Sequence, residues 1–427
     1  MGDVTRITDA RGEEGRLGLD ELAREGARRM IAAALEAEVD DYVQRFIEER
    51  EQKGRRAVVR NGHGQERRVT VGSGTLPIRA PRVNDRRVDP ESGERRRFSS
   101  SILPRYARRS PKVSEVLPVL YLRGLSSGDF APALRELLGE DASGLSASSI
   151  QRLTETWQGE QRAFTRRRLD FCRYAYLFAD GVHVSVRLGE DKRLCLLVII
   201  GVRGDGRKEL LCVEDGYRES TDSWAEVLRD LKARGLSEPK LVTGDGALGL
   251  WGALRDVFPQ AREQRCWVHK IANVLDALPK RVQPRAKAML HEAMEAPTRA
   301  EAGRAIDAFV GEFEPKWPKA AVKLNKDRTE LLAFYDFPAE HWRHLRTTNP
   351  IESSFATVKL RTRVTKGAGS KAAALAMAYK LLDSAQQRWR AFNGAELVKE
   401  LLDGATFKDG KQVTDDEDTT SDGRVAA

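Results

Sequence analysis

The second half of the chain alternates apolar runs with short polar breaks. Beyond Phe171, strand-like runs occur at 174–187, 193–202 and 208–216, and a helical period covers 222–234. A strand at 240–244, a helix at 248–257 and a strand-like run near 262–268 follow. Apolar runs of this length between Gly/Asp turns predict strands, whereas a 3.6-residue period predicts a helix. Three consecutive strands followed by alternating helix and strand predict an α/β fold with an RNase H-like core of the retroviral-integrase type.

Helical patterns complete this half of the chain. The first part of the core spans 171–270, and the proline-punctuated residues 271–345 predict a helical insertion. Helices at 350–363 and 371–393 predict the final part of the core, over 346–407. Residues 408–427 are acidic and poor in apolar side chains, which predicts a disordered tail.

The region before the core is predicted to be mainly helical. Within 1–112, a helix at 17–51 precedes short strands over 55–83, broken at Asn61-Gly62 and at 72–74, and a polar loop over 85–101. Within 113–170, helices are predicted at 113–123, at 127–138 and from about 146. The last two can form a helix-turn-helix, with Gln151 and Arg152 facing a DNA groove. Their connection, 139–145, is longer than usual, so a plain helical hairpin is an equally good interpretation.

Positive charge is concentrated in one segment. Residues 51–112 contain 17 Lys/Arg and 6 Asp/Glu, although the whole chain carries only +9. Such a local surplus predicts contact with a polyanion, most simply nucleic-acid phosphate. Arg95, Arg96 and Arg97 are the candidate contacts. A solvated basic linker is the alternative, but the basic residues alternate with valine, leucine and isoleucine, which favours small strands.

Composition excludes several classes of protein. No apolar run approaches the ~20 residues of a membrane span. The N-terminus lacks the apolar segment of a secretory signal. Four widely separated cysteines favour a reducing compartment over a disulfide framework.

Three carboxylates stand at predicted element boundaries. Asp180 ends an apolar stretch and Asp245 ends the 240–244 strand, and a glycine follows each; Glu352 lies at the start of a helix. Mg²⁺ prefers carboxylate oxygens. Two such ions about 3.5–4 Å apart suit in-line phosphoryl transfer. We therefore interpret Asp180, Asp245 and Glu352 as catalytic metal ligands.

Each of the three carboxylates also has a purely structural interpretation. Asp-Gly is a common turn pair. Asn349 as N-cap, Pro350 at the first helical position and Glu352 at the third would form a capping box. The order of the three along an RNase H-like pattern favours the catalytic interpretation.

Two further groups lie near these carboxylates in sequence. Cys266 and His269 form a C-x-x-H pair, which supplies too few ligands for a structural zinc site. His269 is either a satisfied histidine or a residue beside the site that contacts phosphate or orients a carboxylate. Beyond Glu352, the basic residues that are candidates for DNA-backbone contact, or for a solvated helix face, are Lys359, Arg361, Arg363 and Lys366.

Together, these motifs resemble the mutator-type transposases of bacterial insertion sequences, the IS256 family. The resemblance is carried by DGVH at 180–183, DGYRES at 215–220, TGDGA at 243–247, QRCWVHK at 264–270, TTNPIES at 347–353 and LRTRVTKG at 360–367. VRNG at 59–62 and APRV at 80–83 also look like the family's N-terminal part, so the likeness covers about residues 17–395.

The resemblance implies a DDE transposase whose acidic triad is Asp180, Asp245 and Glu352, with Cys266 and His269 as its C-x-x-H signature. It implies Mg²⁺ or Mn²⁺ as cofactor, a circular intermediate, and a homodimer that synapses two element ends in the bacterial cytoplasm, at the nucleoid. The expected partners are the terminal inverted repeats, bound through residues 1–170, and target DNA. The alternatives are an RNase H-like nuclease without strand transfer and a DNA-binding repressor with a decayed core.

Overall fold

The computed structural model describes residues 18–51, 53–123, 132, 135, 138, 147–186, 193–216, 219–246, 248–364, 368 and 370–413. The chain divides into two compact units, residues 1–153 and 154–427. The sequence places a domain boundary at 170/171, and that division stays a prediction. Within the described ranges, no helix is both long enough and apolar enough to cross a membrane.

The first unit combines helices with two small antiparallel sheets. Its elements are α1 (Leu19–Arg45), β1 (Val58–His63), β2 (Arg67–Val71), β3 (Gly74–Ile78), β4 (Pro81–Asp85) and α2 (Pro111–Arg123), and α3 (Ala147–Arg166) begins in it. β1 pairs with β4, and β2 pairs with β3. Leu35 of α1 is buried with Leu76 and Ile78 of β3. The prediction that Asn61-Gly62 breaks a strand is wrong. The two residues lie inside β1, where the pairing with β4 is irregular between Arg60 and His63.

A five-stranded mixed sheet forms the centre of the second unit. Its strands are β5 (Tyr174–Ser185), β6 (Arg193–Arg203), β7 (Lys208–Gly216), β8 (Leu241–Gly244) and β9 (Arg262–Arg265), in the spatial order β7-β6-β5-β8-β9. β6 pairs antiparallel with both of its neighbours, β5 and β7, whereas β8 and β9 run parallel to β5. β6 is almost continuously apolar and buried because both faces of the sheet are covered.

Helices α4 (Thr221–Ala233) and α5 (Leu248–Val257) cover one face of this sheet. Leu197 of β6 lies in one apolar cluster with Trp224 and Leu228 of α4 and Leu254 of α5. On the other face, the Tyr176 ring stacks on Phe392, with the ring centroids 5.6 Å apart. The α/β class follows from this layered arrangement.

Mostly helical segments follow β9, as the sequence predicts. They are α6 (Trp267–Leu275), α7 (Gln283–Glu295), α8 (Arg299–Phe313), α9 (Pro318–Lys326), α10 (Arg328–Leu331), two 3₁₀ turns at Ala333–Asp336 and Ala339–His341, and α11 (Trp342–Leu345). The chain continues with α12 (Asn349–Val364), α13 (Lys371–Gln386), α14 (Ala395–Leu402), β10 (Phe407–Lys408) and β11 (Lys411–Gln412).

Some predicted boundaries differ from the structure. The helix predicted over 371–393 ends at Gln386. The segment expected to open a disordered tail at 408 forms the β10–β11 hairpin, and residues from 414 onward lie outside the described ranges. The helix predicted over 127–138 is described only at positions 132, 135 and 138, which are helical. The 139–145 connection is not described, so the helix-turn-helix stays a prediction.

Candidate active site

Asp180 lies inside a strand rather than at its end. β5 continues past it to Ser185, and Asp180 pairs with Val198 of β6. The prediction that Asp180 stands at a strand end is therefore wrong, as is the alternative of an Asp-Gly turn, because pairing with β6 carries the extended backbone onward. On the other side of β5, the parallel pairing with β8 ends at Ala179 opposite Gly244. Asp180 is thus the first residue of β5 beyond its partner β8.

Asp245 directly follows β8, as predicted. Gly244 of β8 lies opposite Ala179 of β5. Asp245 follows Gly244 and Asp180 follows Ala179, so the two aspartates lie at one edge of the sheet. The following residue, Gly246, has φ +86°, a conformation that favours glycine. A Cβ at this position would lie 1.6 Å from Nη1 of Arg265, so the guanidinium rests directly against the turn.

The electrostatics of this edge are dominated by acidic groups. Asp180 is only 8% exposed, and its burial is the largest cause that raises the pKa of its carboxyl to about 7. The charge of Asp245 is the second cause and that of Glu219 contributes, whereas His269 acts in the opposite direction. Burial and the charge of Asp245 also raise the pKa of Glu219. The cluster therefore favours any group that brings positive charge.

Glu352 lies in the first turn of α12. The prediction of Asn349 as N-cap of a capping box is wrong, because Asn349 is already part of α12. Thr348 precedes the helix, and its carbonyl accepts from the N–H of Glu352 at 3.0 Å. The Thr348 hydroxyl also donates to Oε1 of Glu352. The carboxylate is therefore fixed at the helix start and remains half-buried.

Cys266 and His269 stand between Asp245 and Glu352. Cys266 is fully buried, whereas His269 is half-buried with Nδ1 3.7 Å from Oε1 of Glu352. The hydrogen bond with the Cys266 thiol is the largest cause that raises the pKa of His269 to about 9, and the charges of Glu352 and Asp180 add to it. Burial alone would raise the pKa of Cys266, but hydrogen bonds with His269 and Thr348 lower it overall.

The three predicted catalytic carboxylates are not all within direct reach of one another. Among the described residues, two sets have ligand atoms that all lie within 4.8 Å: Cys266, His269 and Glu352, and His183, Cys195 and Glu219. Asp180, Asp245 and Glu352 do not form such a set. His269 connects the two sides of the site, since it approaches Glu352 and interacts electrostatically with Asp180.

Glu219 is an acidic residue of the site that sequence reasoning missed. Its Oε1 lies so close to Gly181 that a Cβ there would be 2.3 Å away. Its backbone carbonyl packs against Gly249 of α5, and the next residue, Ser220, is the N-cap of α4. The only signal in the sequence is the position of Glu219 within the DGYRES motif, next to this helix start.

The predicted DNA-binding residues differ in their surroundings. Gln151, Arg152, Lys359 and Arg363 are exposed, whereas Arg361 is 2% exposed and faces the interior. Arg95 is exposed, but its Nε donates to the carbonyl of Asp85 at 2.7 Å. Arg96 lies 3.3 Å from a carboxylate oxygen of Asp89, and Arg97 is exposed. Lys366 lies outside the described residues.

Comparison with known proteins identifies the family. Residues 3–391 match the family model described as Transposase, Mutator family. The transposase for insertion sequence element IS6120 of Mycolicibacterium smegmatis is 58% identical over 299 residues, 70% of this chain and 92% of that protein. The transposase for IST2 of Acidithiobacillus ferrooxidans is 50% identical over 286 residues, 65% of this chain and 94% of that protein. The transposase for ISRM5 of Rhizobium meliloti is 30% identical over 371 residues, 87% of this chain and 89% of that protein. The chain belongs to the Mutator family of insertion-sequence transposases.

Proposed function

We propose that this protein is a DDE transposase that cleaves the ends of an insertion sequence and joins them to target DNA. The sheet register carries the proposal, because pairing of Ala179 with Gly244 brings Asp180 and Asp245 to one edge. The strand order, with three antiparallel strands followed by two parallel ones, supports an RNase H-like core. Glu352 on α12 is the third member of the proposed triad.

The residues of the site fit Mg²⁺ or Mn²⁺. Its donors are mainly carboxylate oxygens, which are the ligands that these hard cations prefer. Asp180, Asp245 and Glu352 would hold the ions, and Glu219 stands beside the two aspartates. When bound, a pair of such ions polarises the phosphodiester and stabilises the attacking and leaving oxygens.

The protein side chains perform the remaining tasks. Thr348 and His269 orient the Glu352 carboxylate, and the turn at Gly246 fixes Asp245. Water hydrolyses the phosphodiester at the element end, and the freed 3′-hydroxyl then attacks a target phosphodiester. Each reaction exchanges one P–O bond for another, so no covalent intermediate with the protein is needed.

DNA recognition is assigned to the region before the core. The basic segment 51–112 would contact the phosphates of the terminal inverted repeats, and exposed Gln151 and Arg152 would contribute from α3. The exposed Lys359 and Arg363, with Lys366, would contact DNA beside the catalytic centre. A homodimer would provide one catalytic centre for each of the two element ends.

The test uses purified full-length protein, DNA with terminal repeats, a target plasmid and Mg²⁺. We expect cleaved ends and joined products from the parent, and neither from Asp245→Asn, which should still bind DNA. The conversion of Asp276, an exposed residue after α6, to Asn is the matched control and should retain activity. Cleavage without joined products would identify a nuclease, and metal-independent binding without cleavage would identify a repressor. Robust cleavage by Asp245→Asn would exclude the proposed triad.

A further inference from the structure

Cys266 is attached by its backbone to the strand end that carries Asp245. The N–H of Cys266 donates to the carbonyl of Gly244 at 2.9 Å, and Gly244 immediately precedes Asp245. Arg265, the residue before Cys266, packs its guanidinium against Gly246 on the other side of Asp245. Consecutive residues of one segment therefore hold both flanks of this aspartate.

The side chain of Cys266 is attached to the helix start that carries Glu352. Its Sγ accepts from the N–H of Thr348 at 3.4 Å and lies 3.3 Å from the hydroxyl oxygen of Thr348. Thr348 is fully buried, and its carbonyl and hydroxyl both contact Glu352. Cys266 thus connects the two halves of the proposed metal site, with its backbone bound to Gly244 and its sulfur in contact with Thr348.

Two neighbouring hydrogen bonds join the same segments. The N–H of Trp267 donates to the carbonyl of Arg346 at 2.9 Å. The hydroxyl of Thr243 donates to the carbonyl of Leu345 at 3.1 Å. These bonds hold β8, the start of α6 and the chain entering α12 together. The Cys266–Thr348 contact lies between these two bonds in the same group of segments.

We propose that Cys266 is a positioning residue that sets the separation between Asp245 and Glu352 through Thr348. The inference rests on the proposed role of these two carboxylates as cation ligands. Alanine at 266 would leave the buried N–H of Thr348 without its acceptor, which favours movement of the helix start. Serine would retain an acceptor on a shorter bond. Loss of the sulfur should therefore weaken cation binding without affecting DNA binding.

The experiment measures Mn²⁺ binding by full-length protein without DNA, from the loss of the electron paramagnetic resonance signal of the free ion. We expect Cys266→Ala to weaken Mn²⁺ affinity by about tenfold, as is typical when the partner that orients a metal ligand is removed. Cys266→Ser should recover part of the loss. Cys172→Ala, a half-buried free cysteine two residues before β5, is the matched control and should bind as the parent does.

Thermal unfolding and binding of terminal-repeat DNA in chelator test whether each variant is folded. If Cys266→Ala does not fold, the test compares Mn²⁺ binding by Thr348→Val and Thr348→Ser, because only serine keeps the hydroxyl. Weaker Mn²⁺ binding by Thr348→Val than by Thr348→Ser supports the proposal.

Parental affinity in a folded Cys266→Ala, or equal affinities of the two Thr348 variants, overturns the proposal. A parent that binds no Mn²⁺ would instead contradict the proposed metal site itself. Asp245→Asn separates these results, since it should lose Mn²⁺ binding whatever the role of Cys266.

Discussion

The side chain of Asp180 combines burial with close acidic neighbours. Its strand position is imposed by pairing with β6, so the carboxylate cannot turn outward without breaking the sheet. The negative charges of Asp245 and Glu219 both disfavour the ionised form of the Asp180 carboxyl. A bound cation would offset this repulsion, so we expect the stability of the protein to depend on pH and on divalent ions.

We predict that the contribution of Asp180 to stability is lost between about pH 4 and pH 7 in the absence of divalent ions. The pKa of Asp180 is about 7 in the folded protein, whereas an unfolded aspartate has a pKa of about 3.9. In this window the folded state holds a proton that the unfolded state has lost, so the free energy of unfolding falls as pH rises. The loss amounts to as much as about 4 kcal/mol above pH 7.

The measurement compares melting temperatures of the parent and Asp180→Asn in chelator. Asparagine has no proton to lose, so the variant should be the more stable at pH 8 and equal to the parent at pH 4. Added Mg²⁺ should raise the melting temperature of the parent at pH 8 and have little effect on the variant. Parallel pH curves for the two proteins would contradict the assignment.

A second prediction concerns the approach of Glu219 to Gly181. In Gly181→Ala, the new methyl group would lie 2.3 Å from Oε1 of Glu219 and would displace this flexible carboxylate. We expect cleavage to slow by about tenfold or more, and Glu219→Gln to have a similar effect. Gly159→Ala is the control, because a Cβ at position 159 meets no atom within 4 Å.

A double-mutant cycle decides whether Glu219 is the cause. Combining Gly181→Ala with Glu219→Gln should add nothing to the loss from either change alone, because both act on the same carboxylate. Fully additive losses would show that Gly181→Ala acts by another route.

At the scale of elements, the site is assembled at ends of strands and starts of helices. Asp245 follows β8, Glu219 precedes the N-cap of α4, and Glu352 lies in the first turn of α12. Such positions offer a rigid backbone on one side and free space on the other. The stability of each helix start should therefore affect the positions of the acidic groups.

We predict different consequences for two similar helix caps. The hydroxyls of Ser220 and Thr298 each accept from a backbone N–H at 3.2 Å, at the starts of α4 and α8. Alanine at either position should lower the free energy of unfolding by about 1 kcal/mol. Only Ser220→Ala should also slow cleavage, because Glu219 is its direct neighbour. Equal cleavage rates for the two variants, measured at matched stability, would show that the Ser220 cap does not affect the proposed catalytic site.

At the scale of the whole molecule, positive charge and proposed chemistry belong to different parts of the chain. The basic segment 51–112 lies in the first unit, and all the acidic groups of the proposed site lie in the second. Within the basic segment, internal contacts distinguish the arginines. Arg95 is held by a carbonyl of its own unit, whereas Arg97 is exposed.

This difference predicts how salt affects DNA binding. If Arg97 contacts a phosphate, Arg97→Gln should reduce the slope of log affinity against log salt concentration by about 1. Arg95→Gln should mainly lower thermal stability, because its guanidinium donates to Asp85. Fluorescence anisotropy of a terminal-repeat duplex with the full-length protein measures both slopes. An unchanged slope for Arg97→Gln would show that Arg97 is solvated and does not contact a phosphate.

Much of the secondary structure could be predicted from local pattern. The three consecutive strands lie within two residues of their predicted bounds, and the helix at 248–257 has the predicted bounds. Continuous apolar runs and helical periods are local properties, so no information about distant residues is needed to find them. The helix beginning at Asn349 was also predictable, although Asn349 is part of the helix and not its N-cap.

The sequence by itself determined the α/β class, the order of the elements, the concentration of basic residues and Asp245 at a strand end. Only the tertiary structure decided that Asp180 lies mid-strand beside the end of β8, that Glu219 joins the acidic cluster and that Arg361 is buried. It also decided that Cys266 connects Gly244 to Thr348. These contacts depend on strand register and on packing between segments far apart in the chain, and a local pattern of apolar and polar residues contains neither.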